Sequence, residues 1–422
     1  MSSGPSPRVV ISGLGAVSAF GVGRDRYWQA LALGISGTKA VTQFDVSAYP
    51  CQVAAWVPPV TIEDAPPLDG DDDLQQRADP RRYSRAALFG VVAGREAWRD
   101  AGLRAGEPGA GVVIGSGGGG IDVGERQYED FFLHGGKHVT PYAIATGICG
   151  MVSSEVSISL GLRGPSHVLS CGCTSSTDAM GYAAALIRAG EADVMLSGGT
   201  DGCVLPGMML GFSRMRAVST HFNDRPAEAS RPFDRNRDGF VLGEGAWMVV
   251  LEREDRALAR GVRPYAVLEG YGSTCDAYHR VQMDPDGGEI VRCIELALAR
   301  AGRARESIGY VNYHGTSTQL NDAIESRSVR RVFGAHADRV PGASVKSMIG
   351  HPQGASGAAG VVATAMAFRT GQLPPTINLT DADPACDMDF IPNTARAAHI
   401  EAALCNCLGF GSKNSALVLG RA

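Results

Sequence analysis

The residues with the clearest chemical potential are one cysteine and two histidines that lie far apart in a chain of 422 residues. Cys173 stands where the apolar run HVLSCGC gives way to TSSTDAMGYAAALIRAG, so its sulfur falls at the first turn of a helix. The unpaired N–H groups and the positive end of the helix dipole at such a place favour thiolate over thiol, and a thiolate is a nucleophile. His314 closes IGYVNY and opens HGTSTQLND, while His351 follows SVKSMIG and precedes PQGASGAAG. Each therefore stands at the end of a predicted strand, where open α/β sheets collect their catalytic groups. One thiol and two imidazoles are a working set for covalent catalysis with hydrogen-bond donation to a developing oxyanion.

Two plainer readings compete. A cysteine behind a buried strand also serves as a small apolar side chain, and the chain has ten cysteines. Cys171 with Cys173 and Cys405 with Cys407 repeat a C-x-C spacing, which admits a four-cysteine metal site, although structural zinc sites use wider C-x₂₋₄-C loops.

The elements that must carry these residues follow a βαβ rhythm. RVVISGLGAV (8–17), YSRAALFGVVAGREAWRDAGL (83–103) and AGVVIGSG (110–117) read as strand, helix and strand. The pattern runs on through DVMLSGGTDG (193–202) and AWMVVLE (246–252), then begins again at PYAVLEGYGS (264–273). IVRCIELALARAG, IGYVNYHGTST, GASVKSMIGH, a helix near 353–371, AALCNCLGFG and SALVLG complete the second series. A duplicated α/β core is predicted, with halves at 1–255, carrying the cysteine, and 256–422, carrying both histidines. The segments 65–82 and 119–146 interrupt the rhythm, the first as a surface loop and the second as an excursion that covers the sheet or a partner.

With 44% apolar and 20% charged residues the chain can bury a large core, which excludes disorder. A net charge of −5 without a basic run argues against nucleic acid as a partner. No apolar stretch reaches the ~18 residues of a membrane span, and the start MSSGPSPRVVISG lacks a signal-peptide layout, so a cytoplasmic enzyme with reduced thiols is expected. GLGAVSAFG (13–21) invites a dinucleotide fingerprint, but Ser18 occupies the third glycine position and no acid-ended second strand follows.

Taken together, Cys173 in SCGCTSS, His314 in VNYHGTST, Lys346 and His351 in SVKSMIGH, and Phe410 in CLGFGSKN resemble the active-site motifs of elongating type II β-ketoacyl-ACP synthases. RPFDRNRDGFVLGEGA (231–246) and GLRGPSHVLS (161–170) also read like that family, and the resemblance runs from about residue 8 to 420. It implies a thiolase-like fold, five-layered αβαβα with two pseudo-duplicated halves. GCTSSTDAMG and DPACDMDFIP are closest in flavour to the alpha subunits of type II polyketide ketosynthases, with fatty-acid elongation enzymes as the alternative.

The resemblance also implies roles. Cys173 takes the acyl chain from the 4'-phosphopantetheine of an acyl carrier protein, and His314 and His351 stabilise the enolate formed as a malonyl thioester loses CO₂. The backbone N–H groups of Cys173 and Phe410 form the oxyanion hole. Lys346 supplies a supporting charge, with Asp322 and Glu325 as the acids that pair with it. Thr316 and Thr318 contact the pantetheine arm. Phe410 gates the acyl pocket, where Ser412 and Lys413 replace the family's usual glycine and threonine. Arg81, Arg82 and Arg216 match basic positions for docking the acidic carrier. No metal or redox cofactor is implied, and the chain is expected to pair as a homodimer or with a chain-length-factor-like subunit. Thiolases share the fold but use a differently placed cysteine pair. A non-catalytic chain-length factor is a further reading, disfavoured here because such subunits lack the nucleophile.

Overall fold

A computed structural model describes residues 6–71 and 83–422. Ten strands form the main path of its large sheet: β1 (Val9–Ser18), β2 (Gly111–Gly115), β3 (Ser166–Leu169), β4 (Val194–Asp201), β5 (Gly245–Arg253), β6 (Ala266–Cys275), β7 (Tyr310–Asn312), β8 (Gly342–Ala343), β9 (Ala402–Gly409) and β10 (Lys413–Gly420). The principal helices are α1 (Arg85–Asp100), α2 (Ile121–His134), α3 (Met151–Leu160), α4 (Ser175–Ala189), α5 (Pro206–Arg214), α6 (Gly288–Ala301), α7 (Gln319–Phe333) and α8 (Ser356–Thr370).

Strand order is β8-β7-β9-β10-β6-β1-β5-β4-β2-β3, and it reads the same way outward from the central β6–β1 pair. In each half three parallel strands lie outside two antiparallel ones. Within the sheet the two halves join through a short antiparallel contact, Val10 opposite Val267 and Ile11 opposite Ala266. This is a thiolase-like fold of the expected class.

Glycine spacing reveals the repetition at atomic scale. In β1 a side chain at Gly13 or Gly15 would strike the carbonyl oxygens of Ala97 and Ala93 on α1, at 2.2 and 2.0 Å. In β6 Gly270 and Gly272 stand in the same relation to Ala297 and Cys293 on α6, at 2.1 Å each. Both strands carry a register shift just before the first of these glycines. Each half thus lets one outer helix lie directly on its central strand, which only a residue without Cβ permits.

The core is correspondingly layered. Trp98, Phe89 and Val156 on α1 and α3 pack one outer face, and Ile294, Ala297 and Phe333 on α6 and α7 pack the other. Between them lie α4 and α8, whose Ala183, Ala359, Val362 and Met366 share one cluster with Trp247, Leu251 and Leu417 from the strands. Helix α8, SGAAGVVATAMAFRT, is apolar almost all round, as a helix buried on every side must be. Small residues on α4 and α8 let the two helices and both half-sheets approach closely, and the sheet ends they bring together carry the chemistry.

Residues 72–82 of the surface loop predicted at 65–82 lie outside the described residues. The excursion after β2 contains α2 and a further helical turn at Ala143–Gly147, and it leaves Tyr128, Phe131, Phe132, Leu133 and Ile144 exposed. Among the described residues no helix is long and apolar enough to cross a membrane.

Candidate active site

Cys173, His314 and His351 converge, with one ligand-type atom of each lying within 4.8 Å of the others. Their three loops leave the carboxyl ends of β3, β7 and β8, of which β3 and β8 are the two edges of the ten-strand path. Cys173 follows the turn Ser170–Cys171–Gly172, where Gly172 takes a left-handed φ of 68°, and α4 starts two residues later. His351 follows Gly350, whose φ is +63°, and is fastened by its own N–H to the carbonyl of Val241 at 2.7 Å and by its carbonyl to the N–H of Gly243 at 3.0 Å.

The Nε2 of His351 is 3.1 Å from the Sγ of Cys173. The rings of His314 and His351 lie edge to face, 5.3 Å between centroids, and Phe240 packs edge-on against His351 at the same separation. Lys346, on the helical turn Lys346–Ile349, sends its buried Nζ to the carbonyl of His314 at 2.6 Å and to its Nδ1 at 3.3 Å. An ammonium only donates, so Nδ1 of His314 is the acceptor and the ring's proton sits on Nε2.

Asp322 and Glu325 share one face at the start of α7, as their spacing predicts, but they do not meet Lys346 in an ion pair among the described residues. Glu325 instead accepts the N–H groups of His314 and Gly315 at 2.7 and 2.8 Å. Asp322 accepts those of Thr316 and Phe233 at 3.0 and 2.9 Å, with the Arg237 guanidinium 3.5 Å away. Both carboxylates thus fasten backbone N–H groups directly, and they act on Lys346 through charge, each raising the lysine against the burial that lowers it. Burial raises Glu325 to about 7, against the pull of the Gly315 and His314 N–H groups.

Electrostatics correct another expectation. Burial, reinforced by the neighbouring Cys407, pushes the Cys173 thiol up to about 12, while Lys346 and the N–H of Phe410 pull the other way. The resting sulfur is a thiol, not the stabilised thiolate that its helix-tip position predicts, because desolvation outweighs the dipole. Burial also holds His314 and His351 well below 6.5, with Lys346 adding to the effect in both, so both rings are neutral. A neutral imidazole beside a thiol is a base in place, and Nε2 of His351 is the atom able to receive the proton.

The cysteine opens onto a cavity of about 360 Å³. Thr316 and Thr318 line it with hydroxyls 3.0 Å apart, and the exposed Arg216, held at φ 55°, lies on its rim. Arg81 and Arg82 lie outside the described residues. Phe410 forms part of the wall, in the three-residue hairpin loop between β9 and β10. Ser412 anchors that loop: its hydroxyl accepts the N–H groups of Tyr278 and His279 at 3.3 and 3.2 Å and donates to the His279 carbonyl at 2.9 Å. Lys413 pairs with Gly409 at the base of the hairpin.

The C-x-C pairs do not assemble a four-cysteine site among the described residues. Cys405 and Cys407 lie on β9 facing buried surroundings, and Cys407 reaches the back of the nucleophile. Sequence reasoning considered Cys407 only as a ligand of that four-cysteine site, and nothing in its spacing pointed to a contact with Cys173.

Residues 6–257 match the family description "Beta-ketoacyl synthase, N-terminal domain", and residues 265–380 match "Beta-ketoacyl synthase, C-terminal domain". This chain belongs to the beta-ketoacyl synthase family. It is 41% identical over 420 residues to 3-oxoacyl-[acyl-carrier-protein] synthase 2 of Coxiella burnetii, covering 98% of both chains. It is 38% identical over 433 residues to the tetracenomycin polyketide synthase ketoacyl synthase alpha subunit of Streptomyces glaucescens, covering 98% of this chain and 97% of that one. Among solved structures, the ishigamide ketosynthase/chain length factor matches with a TM-score of 0.89 and 32% identity, covering 99% of this chain and 100% of the other. A type II polyketide ketosynthase in complex with its acyl carrier protein matches with a TM-score of 0.89 at 29% identity, with the same coverage. As a beta-ketoacyl synthase the protein is an acyltransferase that forms carbon–carbon bonds.

Proposed function

We propose that this synthase extends a polyketide or polyene chain by two carbons through decarboxylative condensation of an acyl group on Cys173 with malonyl-ACP. The observation that carries this reading is the 3.1 Å contact between the Cys173 sulfur and the His351 imidazole at the foot of an open cavity.

In the first half-reaction the carrier's 4'-phosphopantetheine arm brings an acyl thioester past Thr316 and Thr318. The thiol proton of Cys173 passes to Nε2 of His351 as Sγ attacks the thioester carbonyl. The carrier's C–S bond breaks, and its thiol leaves with that proton. The N–H groups of Cys173 and Phe410 hold the tetrahedral oxygen, and such donors contribute about 3–4 kcal/mol each when aimed at the transition state.

In the second half-reaction a malonyl thioester replaces the first carrier. The Nε2–H of His314, whose position on the ring follows from Lys346 at Nδ1, donates to the thioester oxygen, and His351 adds a second donor when its Nε2 is protonated. The negative charge left on that oxygen as CO₂ departs is stabilised, and the enolate carbon attacks the acyl-cysteine. Cys173 leaves as thiolate and takes up a proton from solvent by way of His351. Every step uses the chain's own groups and the carrier's arm, and the reading calls on no metal or redox cofactor.

Arg216 at the cavity rim serves the acidic carrier, with Arg81 and Arg82 as further candidates. A second subunit, either another copy or a chain-length-factor-like chain, is supported by β3, which among the described residues pairs on one side only and exposes Ser166 and His167. An open edge, and separately the exposed Phe132, Leu133 and Ile144, are surfaces that call for a partner. The reading places the halves at 1–255 and 256–422, one bringing the nucleophile and the other the two histidines.

Fatty-acid elongation is the second reading, favoured by the 41% identity to a 3-oxoacyl-[acyl-carrier-protein] synthase 2. Purified protein supplied with malonyl-ACP and a panel of primers separates the two. Polyunsaturated or poly-β-keto products, formed alone or with a co-expressed partner, support the first reading. Turnover restricted to saturated acyl primers supports the second, and no condensation with any primer overturns both.

A further inference from the structure

Cys407 is fully buried on β9 and, among the described residues, does not line the cavity that Cys173 opens onto. Its Sγ lies 3.0 Å from the carbonyl oxygen of Cys173, which also receives the hydroxyl of Ser356 at 3.3 Å. The same sulfur is 3.6 Å from Nδ1 of His314 and 3.6 Å from Oγ of Ser356. One small side chain thus touches the peptide of the nucleophile, the ring that faces the malonyl group in the reaction proposed above, and the start of α8.

We propose that Cys407 is a positioning residue for acyl transfer: its S–H holds the Cys173 carbonyl from behind and fixes how the sulfur and N–H of Cys173 point into the cavity. The inference rests on the proposed condensation and adds to it a group that touches no substrate.

The physical case is geometric. Cys173 sits at the start of α4, and rotation of its peptide would swing Sγ away from Nε2 of His351 and its N–H away from the place where the tetrahedral oxygen forms. Productive sites hold such groups to about 0.5 Å and 10–20°. Ser356 and Cys407 both reach the Cys173 carbonyl, and they also lie against each other, so neither donor can drift without the other moving. A buried thiol donates its single proton, and burial keeps Cys407 above its ordinary range, so it stays protonated. Lys346 already donates to Nδ1 of His314 at 3.3 Å, which leaves the proton of Cys407 for the carbonyl.

The test compares Cys407→Ser, which keeps a donor, with two variants that remove it, the smaller Cys407→Ala and the larger Cys407→Val. Single-turnover acylation of Cys173 by an acyl-ACP is followed by intact mass, along with KM for the acyl donor, thermal melting, and decarboxylation of malonyl-ACP. Expected is a loss of about tenfold in the acylation rate constant for the Val and Ala variants, with KM changed less than twofold. The Ser variant is expected to recover to within about threefold of the parent. Melting temperatures that track the variants' volume rather than their acylation rates accord with this. Parent-like acylation in both the Val and Ala variants overturns the proposal. So does equal loss in all three, which makes Cys407 a packing residue, and so does a loss confined to decarboxylation, which moves its effect to His314. Should the parent itself fail to acylate, the condensation reading fails instead, and the two failures are told apart by that control.

Discussion

His351 Nε2 and Cys173 Sγ face each other at 3.1 Å, although 178 residues separate them in the chain. The sulfur is pushed up to about 12 by burial and the ring is held well below 6.5, so at neutral pH the resting pair is thiol and neutral imidazole. Ionisation is then something the base performs during attack, not a charge stored beforehand.

That arrangement sets the pH behaviour of the thiol. Alkylation of Cys173 by iodoacetamide is expected to rise continuously between pH 7 and 10, without the midpoint near 8.5 and the levelling above it that an ordinary cysteine shows. On the acid side His351 stops accepting a proton only below its lowered pKa, so acylation by acyl-ACP stays level down through pH 6.5 and falls at more acid values. A plateau near neutral pH in the alkylation profile would show a thiolate at rest and contradict the base role.

The two histidines are expected to separate by half-reaction. His314→Ala suppresses malonyl decarboxylation by about 10²–10⁴-fold and leaves Cys173 acylable, because of the two histidines it is His351 that lies in hydrogen-bond reach of the sulfur. His351→Ala slows both acylation and decarboxylation. Rapid-quench measurement of each step distinguishes them; equal effects of both substitutions on acylation would remove the assigned division.

Glu325 carries a pH signature in stability. Its folded-state pKa is raised to about 7 from 4.5, so between those values the native protein holds a proton that the unfolded chain releases. The contribution to stability is present at the acid side and is lost as pH rises through about 7. Urea midpoints taken from pH 5 to 8 are expected to fall more for the parent than for Glu325→Gln; parallel curves would show that the group does not titrate in this window.

The repeated helix-on-strand contact predicts matched effects in the two halves. Gly13→Ala and Gly270→Ala each place a methyl group within 2.2 Å of a helix carbonyl, forcing α1 or α6 off its strand. Each is expected to cost roughly 1–3 kcal/mol, measured by chemical unfolding, as overpacking does. A neutral effect in either would mean that this close approach is not required.

Much of this was legible from residue types alone. Cys173, His314 and His351 each stand where an apolar run breaks into small or polar residues, and the repeated series foretold two halves. The charge state of Cys173 was not legible, because a helix tip is visible in sequence while the depth of burial that outweighs its dipole is not. The partners of Asp322 and Glu325 were equally hidden: spacing put them on one face of α7, but only the fold reveals that the face meets the backbone of the His314 loop. Cys407 reads as a core thiol because its neighbours come from α4, α8 and β7, none of them near it in the chain. Ser412 departs from the usual glycine yet takes φ 62° and gains three hydrogen bonds, which the motif alone did not foretell.

The most direct test of the account is the mass of the intact protein after mixing with an acyl-ACP, followed by peptide mapping, for the parent and for Cys173→Ala. The account predicts one acyl group per chain, located on Cys173, absent from the variant, with the variant still releasing CO₂ from malonyl-ACP. Acylation on another residue, or condensation that survives in the variant, would contradict it.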